Sequence, residues 1–142
     1  MQAAVPFYGV YDFTRFDDAM NTSMPELLEK VVMKQPHATN FEAYTQASPV
    51  NNVSADAPPF FVLHGRNDSL VLVEQARSFV AKLEDISTQP VVYAEFPLAQ
   101  HAFDMFGSAR AAHAALGVAV EQFLAEIYTD RRQTSRSEVS AG

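Results

Sequence analysis

Three apolar runs of strand character mark the chain: Val5–Tyr11, Phe60–Leu63 and Val91–Phe96. Each is rich in β-branched and aromatic residues, and apolar character on both faces suits the buried strands of a parallel sheet. Between the second and third runs, Val73, Ala76, Val80 and Leu83 recur on one face while Glu74, Arg77, Lys82 and Glu84 fall mostly elsewhere. That spacing predicts an amphipathic helix. After the third run, Ala112, Leu116, Val120, Phe123, Leu124 and Ile127 predict a second helix from near Ser108 to Tyr128. Its Gly117 costs about 1 kcal/mol in propensity. Strands alternating with helices predict an α/β fold of three parallel strands with crossover helices. Right-handed crossovers would set the strands side by side in sequence order.

The stretch from Asp12 to Pro59 is a long excursion between the first two runs. Ser23 with Glu26 three residues later has the pattern of a capping box, followed by Leu27, Leu28, Val31 and Val32 at helical spacing and by Pro36 as a stop. A second short helix is expected over residues 40–46, and Ser48 to Pro59 is loop by composition. Long excursions inside compact folds are often functional; this one would border a pocket. From Thr129 the sequence turns polar, so residues 1–128 are expected to form the ordered unit and 129–142 a flexible tail. Arg131, Arg132 and Arg136 in that tail read as a solvated terminus.

Composition narrows the classes. With 142 residues, 48% hydrophobic content and 11 Phe, the chain has material for one domain with a core. A net charge of -7 gives no electrostatic footing for nucleic acid. The absence of Cys excludes disulfides, a thiol nucleophile and a thiolate metal site. No apolar stretch reaches the ~18 residues of a membrane span, and Met1 is not followed by a signal-peptide pattern, so a cytoplasmic location is the default expectation.

Chemistry concentrates after the second and third apolar runs. In an open parallel sheet, ligands bind beyond the carboxyl ends of the strands, where the loops His64-Gly65-Arg66-Asn67-Asp68 and Ala99-Gln100-His101-Ala102-Phe103 would lie. Asp68 is the candidate acid and His101 the candidate base of a nucleophile–histidine–acid triad; Asp68 alone also fits a turn residue, and His101 alone a packing residue. Gly65 would permit a tight turn. Asp104, three residues after His101, is the second choice for the acid. His64 reads as a packing or loop-shaping residue, and His37 and His113 have no partner at ligand spacing, so no metal site is expected. No serine stands in G-x-S-x-G. Ser69 reads as a helix start, and Ser108 lacks the second glycine of that elbow.

These segments resemble the C-terminal portion of an α/β-hydrolase of the carboxylesterase and lipase kind. The resemblance spans Val5 to Tyr128 and is carried by Phe7–Asp12, by Leu63–Val71 as the acid loop, and by Phe96–Phe103 as the histidine loop. It implies that Asp68 is the catalytic acid, His101 the catalytic base, and the strands the last three of the full fold. It also implies hydrolysis of carboxylic esters through an acyl-enzyme without a cofactor, with Asp12 to Pro59 and Phe103 lining the pocket for a small acyl-ester substrate. The serine elbow, oxyanion loop and N-terminal strands of that family are not in these residues, so the isolated chain is expected to be inactive. Its first strand would seek a partner, through a homodimer or an N-terminal half. Two other readings stay open: a serine peptidase of the prolyl-oligopeptidase kind, whose acid loop is similar, and a non-catalytic α/β interaction domain.

Overall fold

The structure, a computed structural model, describes residues 1–15, 23–105 and 110–140. In chain order its helices are α1 (Ser23–Leu27), α2 (Phe41–Ala47), α3 (Glu74–Ile86) and α4 (Arg110–Ser140). Among the described residues the sheet has two parallel strands, β1 (Phe60–Gly65) and β2 (Val91–Phe96), paired from Phe60 opposite Val91 to Gly65 opposite Phe96. Helix α3 is the crossover between them, so the α/β connection read from the spacing is present.

The three-stranded sheet expected from the sequence is not. Val5–Tyr11 forms no strand; the chain here touches β1 in two isolated parallel bridges, Ala4 to Phe60 and Phe7 to Leu63. The hydrogen bonds give the reason. Ala4 N–H donates to the Pro59 carbonyl and Phe61 N–H to the Ala4 carbonyl, both at 2.9 Å. Leu63 N–H donates to the Pro6 carbonyl at 3.0 Å, and Tyr8 N–H to the Leu63 carbonyl at 2.8 Å. The rung between these pairs would need an N–H at position 6, and proline has none. One residue therefore splits a ladder into two contacts. At Tyr8 the backbone turns to a φ of 39°, in the left-handed region.

Both faces of the sheet are covered, following the period of two along the strands. Val62, with Phe60, Val91 and Tyr93 half-buried beside it, packs against Ala76, Phe79, Val80 and Leu83 of α3. Phe61 and Leu63 face the other way, onto Leu116 and Phe123 of α4, with Ala94 and Phe96 alongside. Helix α4 begins beyond Ser108, which lies outside the described residues along with Gly107 and Ala109, as do the side chains of Ala112, Arg131 and Arg136. It continues through residues 129–140. Among the described residues no helix is long and apolar enough to cross a membrane.

The excursion has its own small core of Met24, Leu28 and Tyr44, closed by Val71 from the loop after β1. Helix α1 runs on as a π-helical turn, Leu28–Val32, with Met33 N–H donating to the Leu28 carbonyl at 2.7 Å. Of the four residues expected on the apolar face, Leu28 is buried, together with Met24, whereas Leu27, Val31 and Val32 are exposed. Buried Ser48 accepts the Phe13 N–H at 2.8 Å and donates to the Tyr44 carbonyl at 2.7 Å, tying α2 to the N-terminal segment. Gln75 of α3 does the same lower down. Its Oε1 accepts the N–H groups of Tyr11 at 3.0 Å and Asp12 at 2.7 Å, and its Nε2 donates to the Asp12 carbonyl at 3.0 Å.

Candidate active site

β1 and β2 end side by side, and the loops that leave them are locked together at Gly65. A Cβ there would lie 2.5 Å from the Ala99 carbonyl oxygen and 2.9 Å from that of Gln100, so only glycine admits this approach. Its role is space and not the tight turn expected from composition, since no glycine among the described residues has positive φ. Asn67 N–H donates to the Ala99 carbonyl at 3.0 Å and Arg66 N–H to the Phe96 carbonyl at 2.9 Å, completing the seam.

This seam brings Asp68 and His101 together. Asp68 Oδ2 accepts from His101 Nδ1 at 2.7 Å. The other oxygen, Oδ1, accepts the N–H groups of Leu70 and Val71, each at 2.9 Å. The carboxylate is thus fixed on one side by the backbone and presents its remaining oxygen to the imidazole. Its side chain is fully buried, whereas His101 is partly open. Burial pushes the Asp68 carboxyl up, but the hydrogen bonds from His64, Val71, His101 and Leu70 outweigh it and hold the group below the usual range. A carboxylate facing Nδ1 selects the tautomer with its proton there and leaves the Nε2 lone pair available.

His64 is wholly buried beneath the acid. Its Nε2 lies 2.9 Å from the Val71 carbonyl and 3.4 Å from Asp68 Oδ2, so it carries a proton and shapes the acid loop, as its position suggested. Its Nδ1 is buried without a hydrogen-bond partner among the described residues. Asp104, the second-choice acid, accepts the Tyr8 hydroxyl at 2.8 Å. Tyr8 was not singled out from the sequence; its ring lies against His101 with centroids 4.5 Å apart. Phe103 joins the same cluster, 5.6 Å from Tyr8 and 4.9 Å from Phe96. The sequence signals for Tyr8 and Gln75 were slight: an aromatic in an apolar run, and an amide on an amphipathic helix.

An Asp–His pair of this kind can take a proton from a hydroxyl and return it to a leaving group. It needs a nucleophile. Ser48 is committed to two backbone groups and fully buried, which removes it from that role. Among the described residues no cluster of three or more His, Cys, Asp or Glu is arranged to hold a metal ion.

Comparison with known proteins gives concordant results. The BD-FAE family model matches residues 1–83. The chain is 65% identical over 135 residues to the probable carboxylic ester hydrolase LipM of Mycobacterium tuberculosis, covering 95% of this chain and 31% of LipM. It therefore spans about a third of the length of the curated relatives it matches. Among solved structures, it resembles Thermogutta terrifontis esterase 2 phosphonylated by sarin, with a TM-score of 0.71 at 25% identity over 89% of this chain and 44% of that one. It also resembles a puromycin-hydrolysing peptidase of M. tuberculosis, with a TM-score of 0.64 at 27% identity over 72% of this chain and 15% of the peptidase.

Proposed function

The chain belongs to the BD-FAE family, and on that premise we propose that it is the acid–histidine portion of a carboxylic ester hydrolase working by a Ser-His-Asp mechanism. The partial match to carboxylesterase and lipase-type α/β-hydrolases supports the reaction class. The observation that carries the reading is the 2.7 Å bond between Asp68 and His101 Nδ1, at the ends of neighbouring parallel strands.

Asp68 holds the Nδ1 proton, and His101 Nε2 takes the proton of a serine hydroxyl as the oxygen attacks the ester carbonyl. The imidazolium, stabilised by Asp68, then protonates the departing alcohol as the tetrahedral centre collapses to an acyl-enzyme. Water repeats the sequence and releases the acid. The serine and the oxyanion-hole donors come from residues outside this sequence, in which no G-x-S-x-G occurs. The substrate is a small acyl ester, and Phe103 together with the excursion around Val71 borders it. The N-terminal segment, with Val5 and Phe7 beside β1, is where the remainder of the enzyme would associate.

The test is incubation of the purified chain with p-nitrophenyl butyrate and, in parallel, with a fluorophosphonate followed by intact mass. The expected result is no turnover above buffer and no adduct. Turnover with a single serine adduct overturns the claim that the nucleophile lies elsewhere. A peptidase reading draws on the likeness to the puromycin-hydrolysing enzyme. In the complete protein, preference for an aminoacyl anilide over the matching ester would favour it.

A further inference from the structure

We propose that Tyr8 is a positioning residue that holds Asp104 off His101, so that the imidazole engages Asp68 alone; this rests on the reading of His101 as the base. Two carboxylates stand on the loops around the ring: Asp68, bonded to it, and Asp104, bonded to the Tyr8 that packs on it. Asp104 is three residues away on the same loop, whereas Asp68 is thirty-three residues away and reaches His101 only through the seam at Gly65. A carboxylate bonded at Nε2 would fix a proton there and occupy the lone pair that general-base chemistry requires.

Three independent observations place Tyr8 between these outcomes. Its hydroxyl donates to Asp104 Oδ1 at 2.8 Å, so that carboxylate has a fixed donor other than the imidazole. Its ring packs on the imidazole, 4.5 Å between centroids and 56° between planes, beside the edge of Phe103. To do both, Tyr8 adopts a left-handed φ of 39°, and Ala102 next to His101 has one of 55°. Non-glycine residues in that region are strained, and such strain persists only where surrounding contacts over-determine it. The anchoring contact is on the page: Tyr8 N–H donates to the Leu63 carbonyl at 2.8 Å, so the end of β1 sets the residue's position. Burial, followed by the bond to Asp104, raises the phenol above its ordinary value and keeps it a donor at neutral pH.

The ionisable groups around His101 among the described residues are Asp68, bonded to it from the acid loop, and Tyr8, packed on its ring from the N-terminal segment, with Asp104 beyond Tyr8 and His64 behind Asp68. The test is the NMR titration of His101 in the full chain, assigned against His101→Gln among its 4 histidines. Tyr8→Phe keeps the ring and removes only the hydroxyl. The expected result is an upward displacement of the His101 midpoint from that of the parent, because a released carboxylate favours the imidazolium. Adding Asp104→Asn should return the value to that of the parent. A Tyr8→Phe titration identical to the parent, or a shift that survives Asp104→Asn, overturns the proposal. So does a loss of stability on urea unfolding with no change at His101, which would leave Tyr8 a packing residue. The readout needs no turnover, so a failure here is separable from a failure of the hydrolase reading.

Discussion

At Asp68 a single carboxylate serves two masters: Oδ1 closes a turn through the N–H groups of Leu70 and Val71, and Oδ2 meets His101. Asp68→Asn keeps the shape and removes the charge. The imidazolium loses its nearby anion, so the variant's His101 resonances should move to the neutral form at lower pH than the parent's, read by NMR. The same substitution changes the acid limb of stability. The folded-state Asp68 pKa is depressed, so its contribution is whole above the ordinary carboxylate value of about 3.9 and is lost as pH falls through the folded value. Urea unfolding of the parent from pH 7 to pH 3 should show that loss below about pH 4, and Asp68→Asn should lack this component. These two residues were legible in the chain because each follows an apolar run by a few positions. Tyr8 and Gln75 were not. Their partners, Asp104 and the Tyr11–Asp12 backbone, are 96 residues and about 64 residues away.

Among the elements, β1 and β2 were readable almost to the residue, because strands of a parallel sheet covered on both faces appear as short apolar runs closed by Pro or Gly. The N-terminal run failed on Pro6, which was in view. Its apolar neighbours argued for a strand, and the missing N–H decided otherwise. α1 starts at Ser23 as expected and buries Leu28, but it continues as a π-helical turn that no 3.6-residue pattern announces. Gly65→Ala tests the seam between the two strand ends. The added methyl has carbonyl oxygens at 2.5 Å and 2.9 Å, so the histidine loop must move. We expect a loss of about 2 kcal/mol or more on urea unfolding and loss of the Asp68 influence on His101 in the NMR titration.

For the molecule as a whole, a narrow sheet must be covered on both faces. α3 covers one; α4 covers the other through Leu116 and Phe123, with Phe61 and Phe123 in edge contact at 5.5 Å between centroids. Phe123→Ala should cost about 3–4 kcal/mol, which is a large part of a small domain's stability. Circular dichroism during urea unfolding is expected to show a lowered midpoint, whereas Leu124→Ala, at an exposed position, should move it little. The chain alone conveyed the alternation of strand and helix, the two strands, and Asp68 and His101 as candidates. Those properties reside in local periodicity and in the residues that follow each strand. Folding alone made the Val5–Tyr11 run two bridges, made Gly65 a clearance, and brought Asp68 to 2.7 Å from the imidazole. Each of these depends on atoms brought within about 3 Å by folding from positions far apart in the chain, where residue spacing carries no information about distance.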